Sequence, residues 1–182
     1  VLAQFPDLKL IATRSTGYDH IDLDWCAANG VTVANVPDYG DSTVAEHAFA
    51  LLLAVARNLV EAVERTRRGN FSQAGLRGLE LRDQVLGVIG TGRIGRRVIE
   101  IARGFGMAVV AHDVYPDTEA AARLGFRYAG LDDVLTAADV LTLHVPATPG
   151  TANLISDREF GLMKPGAILI NTARGNIVDV PA

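Results

Sequence analysis

The stretch Val85-Leu86-Gly87-Val88-Ile89-Gly90-Thr91-Gly92-Arg93-Ile94-Gly95-Arg96-Arg97-Val98 decides the reading of this chain. An apolar, β-rich run comes first, three glycines follow in the spacing GxGxxG, and an amphipathic segment starts inside the motif. That order describes a strand, a tight turn and the beginning of a helix. Gly90 lets the chain leave the strand, Gly92 keeps a side chain away from where a pyrophosphate must approach, and Gly95 lets the helix lie close to the sheet. The N–H groups of Arg93 and Ile94 have no acceptor inside the helix and can point at an anion, with the helix dipole adding to the attraction. Three turn or packing glycines would produce the same spacing, so the flanking residues matter.

The flanks favour a dinucleotide site. Ile94, Val98, Ile101, Ala102 and Phe105 form one helical face, and a second apolar run, Met107 to Ala111, follows. Asp113 ends that run, 18 residues after Gly95. A carboxylate there can accept hydrogen bonds from the adenosine ribose hydroxyls. The alternative is an ordinary acidic residue opening a loop. As a ribose ligand Asp113 favours NAD over NADP, because it repels a 2′-phosphate, and Val114-Tyr115-Pro116 supplies no arginine to offset it.

The chain has 182 residues, enough for one α/β domain and part of another. Its 49% hydrophobic content supports a packed core, and a net charge of −4 gives no reason to expect nucleic acid. The longest apolar run, Ala48 to Ala56, is about half of a membrane span, and no signal-peptide pattern appears. Cys26 is the only cysteine, so no disulfide forms within the chain and a cytoplasmic location is expected. No metal-ligand pattern is present. Arg65, Arg67 and Arg68 read as a solvated helix C-terminus. Arg93, Arg96 and Arg97 either assist a phosphate or line a solvated helix face. Both chain ends read as cut in mid-element.

Strands are expected at 8–13, 31–36, 85–89, 107–112, 126–128, 140–143 and 167–170, with helices at 94–105, 118–124, 131–137 and 156–163. Asp22 or Asp24 caps a short helix that Asn29-Gly30 ends. Thr43-x-x-Glu46 has capping-box spacing, and one long helix is expected over about 43–68. Its middle, Ala48–Ala56, is apolar all round, which predicts burial on more than one side: between domains, between subunits or within one domain. Alternating strands and helices with near-continuous apolar strands predict a doubly wound parallel sheet covered on both faces.

Ligands in such a sheet sit beyond the C-terminal strand ends. Two further segments occupy those ends: His144-Val-Pro-Ala-Thr-Pro-Gly-Thr151 and Asn171-Thr-Ala-Arg-Gly175. Arg174 is placed to form paired hydrogen bonds to a substrate carboxylate, or to tie down its own loop through backbone carbonyls.

Six motifs in order carry a resemblance. Arg14-Ser-Thr-Gly-Tyr-Asp-His-Ile-Asp22, Val36-Pro-Asp-Tyr39, Val44-Ala-Glu-His47, Gly90-Thr-Gly-Arg-Ile-Gly95, His144-Val-Pro146 and Asn171-Thr-Ala-Arg-Gly175 together resemble the D-isomer-specific 2-hydroxyacid dehydrogenases, nearest to their D-lactate dehydrogenase group. The resemblance implies an α/β Rossmann NAD-binding domain at 37–182, incomplete at its C-terminus. It also implies a fragment, residues 1–36, of a flavodoxin-like substrate domain. It further implies that N–H groups at Thr16 and Gly17 hold the substrate carboxylate and that Tyr39 reaches the substrate. Arg93 and Ile94 would hold the pyrophosphate, and Val145, Pro146 and Thr151 would line the cleft. Thr172 and Ala173 would meet the nicotinamide, and Arg174 would be the catalytic arginine. Gly40-Asp41 departs from the Ser-Pro common in the group, which bears on the shape of the Tyr39 loop.

The family's proton-donating histidine and its glutamate are expected beyond Arg174, outside these residues. His20, His47, His112 and His144 read as structural or cofactor-adjacent. The resemblance implies an NAD-dependent oxidoreductase acting on a small 2-keto or 2-hydroxy acid such as pyruvate or D-lactate. These 182 residues alone are expected to be inactive. A homodimer through the apolar helix is expected, with no membrane or nucleic-acid partner. Two other readings stay open: an NAD(H)-sensing regulatory module on the same scaffold, and another Rossmann enzyme.

Overall fold

The computed structural model describes all of residues 1–182. The chain divides into two compact units, Val1–Asp41 and Ser42–Ala182. The resemblance places this boundary at 36/37. The turn carrying Tyr39 belongs with the first unit, and the break falls where the next helix begins.

In the first unit, strands β1 (Leu10–Ala12) and β2 (Thr32–Ala34) pair in parallel, with Leu10 opposite Thr32. Helix α1 (Leu23–Ala28) connects them. Asp22 is its N-cap, accepting a hydrogen bond from the Trp25 N–H at 2.9 Å. Asn29 closes the helix, and Gly30 follows at φ 68°, the left-handed conformation glycine adopts freely. Cys26 is buried.

The second unit is built on five parallel strands in the order β5-β4-β3-β6-β7: β3 (Val85–Ile89), β4 (Ala108–His112), β5 (Arg127–Tyr128), β6 (Val140–Leu143) and β7 (Ile168–Asn171). This is the predicted doubly wound sheet. Strand order reverses at β3, which opens a crevice at the C-terminal ends of β3 and β6. Alternation along the strands sends side chains to two layers. Leu86, Val88, Val109, Ala111 and Val140 pack with α2 (Asp41–Ala56) and α4 (Arg93–Gly104). Ile89, Val110, Leu141 and Leu143 pack with Val134, Leu135 and Ala138 on or beside α6 (Leu131–Ala137). Gly87 points into that second layer. A Cβ there would stand 2.9 Å from the Ala138 methyl and 3.0 Å from Leu141, so the strand admits no side chain at this position.

The long helix expected over 43–68 is broken. Helix α2 starts at Asp41, so Thr43 lies inside it and does not cap it, and α3 (Leu59–Arg67) follows at a bend of 63°. The hinge has two causes. Asn58 takes the left-handed conformation at φ 49°, and the Ala56 carbonyl is diverted to the Leu79 N–H at 2.7 Å. Gly78 makes this approach possible, because a Cβ there would lie 2.2 Å from the Ala56 oxygen. Burial is also one-sided. Ala48, Phe49, Leu52 and Ala56 are buried, while Leu51, Val55 and Leu59 remain exposed. Phe49 stacks on Phe105 at 5.4 Å, joining α2 to the end of α4. The three arginines at the end of α3 are ion-paired with Glu61 and Glu64. No single helix is long and apolar enough to cross a membrane.

The remaining helices fall where periodicity places them. Helix α5 (Thr118–Leu124) is capped by Asp117, and α7 (Asp157–Leu162) by a Ser156–Glu159 capping box.

Candidate NAD-binding site

Register aligns the site. Ile89 pairs with His112 on one side and Leu143 on the other, and Leu143 pairs with Asn171. The residues that follow, Gly90, Asp113, His144 and Thr172, therefore leave the sheet at one level along one edge.

The glycine turn is built as its spacing predicts. Gly90 has φ 91°, and its N–H donates to the His112 carbonyl at 2.9 Å. A Cβ at Gly90 would lie 2.6 Å from the His144 oxygen. Gly95 is as tightly held: a Cβ would sit 2.1 Å from the Gly90 oxygen, so α4 touches the turn backbone itself. Gly92 is different. Nothing lies within 4 Å of a Cβ built there, and as N-cap it offers no side chain to the first-turn amides. The turn therefore leads into the positive end of a 12-residue helix whose N-cap carries no side chain. Arg96 is not reserved for a phosphate. Its Nε donates to the Thr91 carbonyl at 2.8 Å and its Nη1 pairs with Asp117 at 3.0 Å. Arg97 pairs with Glu100 at 2.5 Å.

Asp113 stands half-buried past the end of β4. Its Oδ2 accepts from the Thr91 N–H at 2.6 Å and the Thr91 hydroxyl at 2.9 Å, and its Oδ1 accepts from the Tyr115 N–H at 2.9 Å. Burial alone would raise its pKa. The Thr91 and Tyr115 donors and the neighbouring His112 outweigh that, and the carboxyl is held below its ordinary value.

Beyond β6, the His144 ring is within 2.9 Å of the buried Thr142 hydroxyl. Burial pushes its pKa down to about 4, so the ring is neutral at pH 7. Val145 packs on the second core layer. Pro146 and Thr151 close a small loop: the Thr151 hydroxyl donates to the Pro146 carbonyl at 2.6 Å. Thr151 thus shapes this segment through its own side chain.

Beyond β7, Asn171 organises the loop. Its Oδ1 accepts from the Ala173 N–H at 3.0 Å and its Nδ2 donates to the Arg174 carbonyl at 2.8 Å. The Thr172 hydroxyl is buried and has no hydrogen-bond partner. Ala173 is half-buried and Arg174 exposed, with one guanidinium N–H donating to the Ala173 carbonyl at 2.9 Å. An orphaned hydroxyl, a side-chain-free cradle at Gly92 and an aligned carboxylate fit a dinucleotide laid along this edge.

The expected substrate residues lie in the first unit. Asn35 Nδ2 donates to the Thr16 carbonyl at 2.8 Å, and the Ser15 hydroxyl donates to the Gly17 carbonyl at 2.6 Å. Tyr39 is 71% exposed. The sequence reading missed Asn171, Thr91 and Tyr128 as organising residues. An asparagine two residues before a required loop N–H is a recognisable turn signal, whereas no local pattern links Thr91 to Tyr128.

A doubly wound sheet with a glycine turn and an acidic residue past the end of the second strand of that unit defines a Rossmann dinucleotide-binding domain. Residues 49–182 match the family model described as D-isomer specific 2-hydroxyacid dehydrogenase, NAD binding domain. The chain belongs to that family. It is 40% identical to the D-lactate dehydrogenase of Escherichia coli over 175 residues, 96% of this chain and 53% of that protein. It is 41% identical over 182 residues to the D-3-phosphoglycerate dehydrogenase of Mycobacterium tuberculosis, covering 100% of this chain and 34% of the other. Among solved structures, the D-lactate dehydrogenase from Aquifex aeolicus, complexed with NAD and lactic acid, superposes with a TM-score of 0.91 at 45% identity. That match covers 98% of this chain and 54% of that one. The chain spans between about a third and about half of the length of these relatives.

Proposed function

We propose that the protein is an NAD-dependent D-2-hydroxyacid dehydrogenase reducing a small 2-keto acid of the pyruvate type to its D-hydroxy acid. The observation that carries this reading is the single sheet edge bearing the uncapped α4 N-terminus, Asp113, the orphaned Thr172 hydroxyl and Arg174.

When bound, NADH supplies a hydride from the nicotinamide. The chain supplies the rest of the environment. The α4 amides of Arg93 and Ile94 hold the pyrophosphate and Asp113 accepts from the adenosine ribose. Thr172 and Ala173 meet the nicotinamide end, with Val145, Pro146 and Thr151 lining the cleft. Arg174 orients the substrate carboxylate through a two-pronged contact and stabilises charge building on the carbonyl oxygen. Thr16 and Gly17 N–H groups and Tyr39 bind the substrate. Residues up to about 36–41 are proposed as the end of a substrate domain, and the rest as the NAD-binding domain.

None of the four histidines is proposed as the proton donor. His144 is half-buried and neutral at pH 7, and His112 Nδ1 sits 3.2 Å from the Ala129 carbonyl. His47 and His20 are exposed, one on α2 and one in the first unit. A missing general acid costs about 10² to 10⁴ in rate, so the 182 residues on their own should bind NADH and turn over little. A second copy of this chain is proposed to cover the exposed Leu51, Val55 and Leu59.

Calorimetry with NADH, followed by NADH oxidation with pyruvate in the full-length protein, tests the assignment. Absence of binding heat removes the cofactor role. Binding without turnover of any 2-keto acid removes the dehydrogenase. Sedimentation of Val55→Asp, expected to shift the full-length protein to monomer, tests the dimer.

A further inference from the structure

Thr91, Tyr128, Asp117, Arg96 and Asp113 form a hydrogen-bonded circuit that the family match does not account for. Tyr128 Oη lies 2.7 Å from the Thr91 hydroxyl and accepts from the Asp117 N–H at 3.1 Å. Asp117 pairs with Arg96 at 3.0 Å, and Arg96 returns to the Thr91 carbonyl at 2.8 Å. Asp117 also caps α5 through the Ala120 N–H at 2.9 Å. The residues come from the glycine turn, α4, the loop after β4, the N-cap of α5 and β5.

The proton directions follow from donor count. An ionised carboxylate only accepts, so the Thr91 hydroxyl spends its one proton on Asp113 Oδ2, at 2.9 Å. Between Thr91 and Tyr128 the donor must then be the tyrosine. Tyr128 in turn accepts from the Asp117 amide. The chain runs Asp117 N–H to Tyr128 O–H to Thr91 O–H to Asp113, each donor polarising the next toward the carboxylate. Three of the roughly four acceptor positions of Asp113 are filled by protein donors. One position on Oδ1 is left, so the carboxylate presents a defined face.

We infer that Tyr128 is a positioning residue for cofactor selection: through the Thr91 hydroxyl it orients the Asp113 carboxylate so that its one open Oδ1 position faces a ribose hydroxyl and opposes a 2′-phosphate. This rests on the NAD reading above. The ring of Tyr128 meets Phe126 edge-on at 5.0 Å, a contact that phenylalanine would keep, so Tyr128→Phe removes the hydroxyl with its links to Thr91 and the Asp117 N–H and leaves the ring packing in place.

The test is equilibrium binding of NADH and NADPH to the full-length protein. Tyr128→Phe should weaken NADH about threefold to tenfold, the scale of one lost hydrogen bond, and leave NADPH within about twofold. Discrimination between the two then narrows by the same factor. Thr91→Val should copy this phenotype, Thr91→Ser should restore the wild-type ratio, and Tyr128→Phe with Thr91→Val should be no worse than Thr91→Val alone. Equal weakening of both dinucleotides would mark a merely structural role and overturn the proposal, as would unchanged NADH affinity. If the unmodified protein binds no NADH, the cofactor reading itself fails, which is a separate and recognisable result.

Discussion

At the β4 end of the crevice, Asp113, Thr91, Tyr128, Asp117 and Arg96 satisfy one another before any ligand arrives. At the β7 end, the Thr172 hydroxyl is buried without a partner and Arg174 stands exposed. The first end holds a finished receptor, whose affinity comes from groups already in place. The second leaves the Thr172 hydroxyl unsatisfied, which costs stability unless a ligand pairs with it. In the proposed reading, the first end serves cofactor recognition and the second the chemistry.

The strongest way to break the finished end is Gly95→Ala. Its methyl would meet the Gly90 oxygen at 2.1 Å, and neither backbone can move without shifting α4 or β3. A loss of about 3 kcal/mol in urea unfolding is expected, with NADH binding lost as well. Gly92→Ala sharpens the contrast. Its methyl meets nothing, so stability should hardly change while NADH affinity falls. At the open end, Arg174→Lys should lower kcat/KM for pyruvate about 10²-fold and leave NADH affinity unchanged, because a point charge cannot reproduce a two-pronged carboxylate contact. Steady-state kinetics of the full-length protein checks this.

His144 lies between the two ends and gives a pH test. Its folded pKa, about 4, is below the ordinary 6.5, so the folded form binds fewer protons in between. The stability it contributes is complete above pH 6.5 and is lost as pH falls from there to about 4. The loss is on the order of 3 kcal/mol. Urea unfolding across that window should show this slope, and His144→Gln should flatten it. The smallest effect is expected for Thr172→Val. Removing the orphaned hydroxyl should stabilise the cofactor-free protein by about 1 kcal/mol while weakening NADH binding. A simple loss of stability would mean that the hydroxyl is not waiting for a ligand.

Much of this edge is legible in the sequence. Strands β3 and β6 and helices α5 and α6 fall on the predicted residues, because apolar runs there are bounded by glycine or acidic caps. The glycine turn is legible for the same reason: its conformational demands are local. The break between α2 and α3 is not. Arg57-Asn58 reads as ordinary helix surface, and what bends the chain is a carbonyl claimed by Leu79 beside Gly78, distant in sequence. The Tyr128 link to Thr91 spans 37 positions and leaves no periodicity behind. Asp113 could be placed from its spacing, but the donors that fix its face could not.

The elbow at Asn58 also restricts what can lie against this part of the surface. Its exposed apolar side chains continue around a corner of 63°, from Leu51 and Val55 to Val60 and Val63. A straight rod-like helix can follow one arm but not both. A chain carrying the same corner, turned about a twofold axis, can match each arm with the other's counterpart. The hydrogen bond that takes the Ala56 carbonyl thus sets the angle that any partner covering both arms would have to match.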